Sequence, residues 1–308
     1  MLNTSHLENW FGLPVEEASG DTDFQPSRKI YRFGWSYDHE EDPLENLKRF
    51  LTSPGAGETV AVVFGMDNES GSDTSQDKFL DLLEECRADL PKLRGIFLGD
   101  ITQEENEMSW IKQTDISRAL RLFPNLEELR ARGQDGLQFS ACRHLGLKKL
   151  VIETGGMPKA VLHGLAGSAF PELEHLELWL GTDEYGFDGS ISDVLPLLSP
   201  EVFPKLKHLA LGNSHIQNEV AAAVAGSPIL DQLESLDLSL GVLTDDGAVP
   251  LLTSERLGNL KKLNLHRNYL SKVMAGRFLS LGIEVDVGGQ EEPDQWNNEP
   301  HYYVAVGE

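Results

Sequence analysis

Two histidines and a carboxylate open the chemical reading of this chain. His175 and Glu177 stand in the stretch LEHLEL, and His208 stands at the place of His175 in the related stretch LKHLAL. Imidazole and carboxylate are zinc ligands, so the trio is a candidate metal site wherever the two stretches lie side by side. Repetition brings many such pairs together by chance, however. A polar stripe facing solvent or a ligand is the reading adopted, with neither metal nor cofactor expected. A second candidate is GDITQEENEMSWIKQTD, Gly99 to Asp115, which gathers Asp100, Glu104, Glu105, Glu107 and Asp115 around Trp110. Clustered carboxylates bind divalent cations or exchange protons with a substrate. Acidic runs also form solvated loops and helix starts, where the helix dipole favours them, and that reading is preferred here.

Other reactive patterns are missing. The chain has no GxSxG, HExxH, CxxC or phosphate-loop motif, and the glycines of GQDG and GGMPKAVLHGLAG lack the spacing and the following Lys of a phosphate cradle. Cys86 sits four residues from both Leu82 and Leu90, which is core spacing for a helix and predicts an inert thiol. Cys142 precedes Arg143 and His144, cations able to lower a thiol pKa. No catalytic residue is assigned, and no enzymatic activity is expected.

The elements that must position these residues are repeated. L-x-x-L-x-L phrases, some with substituted leucines, begin at Leu93, Leu126, Leu147, Leu173, Leu206, Leu233 and Leu260, at intervals of 33, 21, 26, 33, 27 and 27 residues. Pro91, Pro124, Pro171 and Pro204 precede four of them and favour an extended entry. Within LESLDL, Leu236 and Leu238 share one face of a strand, while Ser235, Asp237 and Ser239 share the other. Amphipathic runs such as DKFLDLLEECRADL and NEVAAAVAG separate the strands and predict helices. The spacing is that of leucine-rich repeats, whose usual period is about 20–29 residues. The two longer intervals then hold insertions. Weaker strands are expected at Lys29–Tyr37, Thr59–Met66 and Gly282–Gly289, about ten in all.

These units predict one α/β domain over residues 1–308, a curved leucine-rich-repeat solenoid with a parallel sheet on the concave face and helices on the convex face. Residues 1–28 are expected to form an irregular cap, 29–289 the repeats, and 290–308 a loop followed by a cap. The loops Ser53–Glu58 and Asp67–Asp77, rich in Gly, Ser and acid, are expected to be mobile. Many such repeats place Asn three residues after the third leucine. Here those positions hold Ile101, Gln134, Gly155, Gly181, Ser214, Gly241 and Asn268, so something else, often glycine, is expected to replace that ladder.

The formal net charge is −24. Nucleic-acid affinity comes largely from Lys and Arg that release counterions, and anionic membranes repel acidic surfaces in the same way. Neither nucleic acid nor membrane is expected as a partner. The start MLNTSHLENWFGLP has no basic region followed by an apolar run, and no stretch reaches the ~20 apolar residues of a membrane span. A cytoplasmic location is the expectation.

The segments HLENWFGLPV, FLGDITQEENEMSWIKQTD, LWLGTDEYGFDG, GNSHIQNE, DLSLGVLTDDGA and YVAVGE span the chain. Through them it resembles a family of bacterial cytoplasmic leucine-rich-repeat proteins with ribonuclease-inhibitor-like repeats. The resemblance implies the fold and a bacterial cytoplasmic origin. It supplies no catalytic residues. Members tend to be encoded beside radical-SAM and ATP-grasp type enzymes, which implies a helper role in a peptide-modifying pathway.

An extended strand face suits a macromolecular ligand, so the expected function is a non-enzymatic scaffold for a protein or peptide. The residues assigned to it are Arg130, Arg132, Glu153, His175, Glu177, Trp179, His208 and Asp237, with basic residues toward the N-terminal side and acidic ones toward the centre. Trp179 is expected to be an anchor, as buried aromatics commonly are at interfaces. The competing reading has the loop GTDEYGFDG fold back and bury Trp179 against Tyr185 or Phe187. The other functions weighed are an accessory subunit of the modifying pathway and a metal-dependent enzyme.

Overall fold

The computed structural model describes residues 5–35, 41–67 and 75–307. Most of the Asp67–Asp77 loop, and the end of the Lys29–Tyr37 strand, lie outside the described residues. Among the described residues, twelve strands form one sheet in chain order. They are β1 (Asn9–Trp10), β2 (Leu13–Glu17), β3 (Ile30–Phe33), β4 (Ala61–Phe64), β5 (Gly95–Leu98), β6 (Glu128–Arg132), β7 (Lys149–Glu153), β8 (His175–Gly181), β9 (His208–Ser214), β10 (Ser235–Asp237), β11 (Lys262–Asn264) and β12 (Glu284–Asp286). The β1–β2 pair is antiparallel and the pairs from β2 onward are parallel. Helices follow most strands: α1 (Pro43–Leu51), α2 (Asp77–Glu85), α3 (Ser117–Leu122), α4 (Lys159–Ala166), α5 (Ile191–Val194), α6 (Gln217–Gly226), α7 (Asp245–Leu252) and α8 (Lys272–Leu279). This is the α/β leucine-rich-repeat solenoid, with the parallel sheet on the concave face.

Each unit buries one strand face and one helix stripe, and neighbours extend the same core. Leu150, Ile152, Leu176, Leu178, Leu209, Leu211, Leu236, Leu238, Leu263 and Leu265 are all buried in it, with Val161, Leu162, Val220 and Val224 from the helices. Helix starts are defined locally. Asp42 accepts from the Leu44 N–H ahead of Pro43, and Ser271 accepts from the Met274 N–H.

The Asn ladder is replaced, as expected, and the replacement is largely glutamine. Asn268, fully buried, does donate to Leu238 O (2.9 Å) and Leu265 O (3.2 Å), and accepts from the Leu243 N–H. Elsewhere glutamines from further along the chain take that role. Gln76 reaches Gly65 O, Gln113 reaches Leu98 O and Arg132 O, Gln217 reaches Leu211 O, and Gln290 reaches Leu265 O. A longer amide spans from the start of the next segment what Asn spans from the turn itself, and buried carbonyls require such donors.

Within the expected cap, residues 9–17 carry two short strands, and irregular chain follows them up to β3. β1 and β2 form a two-residue hairpin in which Phe11 and Gly12 both have positive φ (49° and 76°), the signature of a type I′ turn. Ser53–Glu58 is likewise ordered, with a 3-10 turn and a buried Ala56. At the other end, a small hairpin of β13 (Asp294–Trp296) and β14 (Glu299–His301) is exposed throughout, and β12 retains an exposed edge. The segment that follows does not cover β12. It runs back across the ends of the preceding strands: Tyr303 meets Tyr269, Ala305 meets Leu240, Val306 meets Asn213, and Gly307 meets Ser109.

Candidate partner-binding face

The concave face is half sealed. On β3 to β5 the outward positions other than Arg32 and Gly95 are apolar: Ile30, Ala61, Val63 and Phe97 pack under Trp10 from the first hairpin, with Phe11, Leu13 and Val15 beside it. Gly95 is glycine for a steric reason. A Cβ there would lie 2.5 Å from a Phe11 ring carbon and 2.9 Å from one of Trp10.

Two of the basic residues assigned to the face lie at the border of this seal. Arg130 stacks over Trp10 and Phe97 (5.8 Å to each centroid) and pairs with Glu128 at 2.8 Å, while the Trp10 indole N–H donates to the same carboxylate. Arg132 pairs with Glu153 at 2.5 Å and lies 3.6 Å from Asp100. Both guanidiniums, and Glu153 with them, are committed to partners within the chain.

Asp100 centres a buried ion network. Arg32, 3% exposed, donates to Asp100 O through Nε (3.1 Å) and Nη2 (2.8 Å), and pairs with Glu17 (2.7 Å) and Glu105 (3.3 Å). His6 reaches Asp100 (3.6 Å) and Glu105 (3.3 Å). Burial opposes its charge, but the two carboxylates outweigh burial and raise its pKa to about 9. Asp115 has a local task. Burial pushes its carboxyl up, and bonds from Ser117, Arg121 and Ser140 bring it down to about 2. Asp100, Glu105 and Asp115 therefore have structural partners. Among the described residues no group of three His, Cys, Asp or Glu side chains is placed to hold a metal ion.

The cysteines are free. Burial raises the thiol pKa of Cys86 and of Cys142. For Cys142 this reverses the expectation from Arg143 and His144. His144 is itself buried and its pKa is lowered by desolvation, with Nε2 at 3.0 Å from Phe123 O.

The face opens from β8 onward. Register sets His175 opposite His208, Glu177 opposite Ala210 and Trp179 opposite Gly212. The two imidazoles lie 5.8 Å apart, and His208 bonds Ser235 at 2.8 Å. Burial, followed by the neighbouring His175, lowers the pKa of His208. Burial pushes the Glu177 carboxyl up, but His175 and the Trp179 indole N–H (3.1 Å) outweigh it and leave its pKa lowered. Beside them is a cavity of about 360 Å³. Ala210 and Gly212 are its small residues; Glu177, Asp237 and Asp286 supply carboxylates; Trp179, Ser239, Leu240, Asn264 and His266 complete the lining. Asp237, Asn264 and Asp286 each accept the N–H of the residue two further on, at 2.9, 3.0 and 2.8 Å. That local bond competes with the ladder, and β10 to β12 are three residues each.

Trp179 itself is 7% exposed. It packs with Met108, Leu240 and Val306, with Ala305 alongside. The cover therefore comes from the Gly99–Asp115 insertion and the closing segment. Tyr185 and Phe187 lie elsewhere: Phe187 packs into the main core, and the Tyr185 ring flanks Gly307. Sequence reasoning also missed Asn213 and Ser109, whose bonds to the closing segment depend on contacts distant in the chain.

Repeats of strand and helix with a polar open face define a leucine-rich-repeat solenoid. The chain belongs to the same family as a Bacteroides fragilis protein of known crystal structure, to which it is 31% identical over 92% of this chain and 78% of that one, with a TM-score of 0.79. An internalin from Listeria monocytogenes also aligns, at 17% identity, over 86% of this chain and 62% of that one, with a TM-score of 0.42. No family model and no curated protein matches the sequence. Among the described residues no helix is long and apolar enough to cross a membrane.

Proposed function

We propose that this protein is a non-enzymatic scaffold that binds a protein or peptide on the open half of its concave face. The supporting observation is the contrast between the two halves. Apolar residues on β3 to β5 are sealed by the chain's own hairpin, whereas β8 to β12 keep a polar strip around a cavity of about 360 Å³. Of the residues assigned from sequence, His175, Glu177, His208 and Asp237 border this strip, while Arg130, Arg132 and Glu153 serve the sealed side. The cavity lining has three carboxylates and neither Lys nor Arg, so a basic segment of the partner fits it by charge complementarity. A helper subunit that presents a substrate peptide to a modifying enzyme would use the same strip.

Affinity capture from a bacterial lysate with the wild-type chain and with Asp237→Lys/Asp286→Lys tests this reading. Basic partners held by wild type should be lost from the double variant and should elute with rising salt. Equal capture by both proteins would refute it.

A further inference from the structure

The closing segment occupies a groove in the way a bound peptide would. It crosses the ends of successive strands with a bend at Ala305, and its backbone is answered one group at a time. The Ala305 N–H donates to Leu240 O at 2.8 Å. Asn213 grips Val306 at both ends, accepting from its N–H at 2.9 Å and donating to its carbonyl at 2.5 Å. The Ser109 hydroxyl donates to Gly307 O at 2.6 Å. The Val306 side chain enters an apolar seat of Met108, Trp179 and Leu240. Size is read at the next position, since a Cβ on Gly307 would lie 2.7 Å from the Tyr185 ring. The groove is shaped for backbone approach as well, because a Cβ on Gly155 would meet Gly307 O at 2.4 Å.

The turn residues Asn213 and Leu240 that line the seat hold positive φ (52° and 68°), as Arg267 does at the equivalent turn of the next repeat (55°). The tether is weakly attached: β13 and β14 are exposed on every residue, and Trp296 is 69% exposed. Val306, the packed Ala305, an edge-on Tyr269–Tyr302 ring contact and a handful of hydrogen bonds must offset the entropy of ordering the segment.

We propose that this groove is a recognition site for a peptide of small–Val–Gly pattern, filled in cis by Ala305–Gly307 and available to a matching segment of a partner. Main-chain bonds supply affinity and a side-chain pocket supplies selectivity. The proposal rests on the concave face being a peptide-binding surface, and it adds a covered subsite beside the open cavity.

The test uses the full chain carrying Ala305→Pro/Val306→Asp. Proline removes the N–H that meets Leu240 O, and aspartate is excluded from the apolar seat, so the segment is released. A fluorescent synthetic peptide, HYYVAVG, is titrated by anisotropy. A tethered competitor acts at an effective concentration of about millimolar, so the released variant should bind the peptide at least about tenfold more tightly than wild type. Asn213→Ala in the released background should weaken binding about tenfold or more. A folded released variant that does not bind the peptide overturns the proposal. If that variant fails to fold, hydrogen exchange on wild type decides: excess peptide should speed exchange at the Ala305 and Val306 amides, and unchanged exchange overturns the proposal. Asp237→Lys/Asp286→Lys introduced into the released variant should leave peptide binding intact, so failure of the open cavity and failure of the groove are read separately.

Discussion

Arg32→Met is a direct probe of the buried network. The guanidinium is 3% exposed, donates twice to Asp100 O and pairs with Glu17 and Glu105. Methionine keeps much of the volume and removes every donor. Three carboxylates, Glu17, Asp100 and Glu105, lose a cation and a buried carbonyl loses both its bonds. Breaking a buried ion pair from one side costs about 3–5 kcal/mol. Unfolding entropy is about 2.1 cal/mol/K per residue, or ~0.65 kcal/mol/K over 308 residues. The expected fall in Tm is then about 5–8 °C, measured by scanning calorimetry. Arg32→Lys should recover less than half of the loss, because an ammonium cannot reproduce the forked contacts. Adding Glu105→Gln to Arg32→Met should recover part of it by removing an unpaired charge. A fall below about 2 °C for Arg32→Met, with no coupling to Glu105, would refute the account of this network as a structural keystone.

Two further outcomes follow from neighbouring sites. His6 has a raised folded pKa, about 9 against an ordinary 6.5, so its contribution is complete below pH 6.5 and is lost as pH rises through 9; the Tm difference between wild type and His6→Ala should shrink from pH 6 to pH 10, and a difference that grows would contradict the assignment. Gly95→Val should displace the first hairpin, since even a Cβ collides with Phe11 and Trp10; tryptophan emission should shift to the red with Tm lowered by several degrees, roughly 2–3 kcal/mol of overpacking, and unchanged emission would place the hairpin elsewhere.

The repeat itself was legible because it is local. Period-two leucines announce the strands, four of them after proline, and the same place within the phrase sets His175 opposite His208 without any knowledge of the rest of the chain. What covers the face was not legible. Trp179 stands in an outward column by spacing, yet its cover comes from Met108 and Val306, which no pattern around Trp179 announces. Arg130 and Arg132 are assigned to the binding face from spacing, although Glu128 in the same strand and Trp10, Asp100 and Glu153 from other segments hold them. The glutamine ladder was hidden for a different reason. A longer side chain satisfies the same carbonyl from a position several residues away, so a search at the fixed Asn position finds Ser214 where Gln217 does the bonding. Cys142 shows burial overruling neighbours in the sequence: Arg143 and His144 suggest a reactive thiol, and desolvation makes it a sluggish one.

The closing segment also alters how the solenoid comes apart. In a stack of repeats each unit couples chiefly to its two neighbours, so unfolding can fray inward from an end one unit at a time. Residues 303–307 break that nearest-neighbour rule by joining Tyr269, Leu240, Asn213 and Ser109 in one span. While the segment is seated, loss of the last repeats must also unseat contacts made several repeats earlier, so that half of the molecule melts as one block. Once it leaves, the block reverts to a string of weakly coupled units with a loose end at β12. Occupancy of the groove is thereby linked to the cooperativity of the fold.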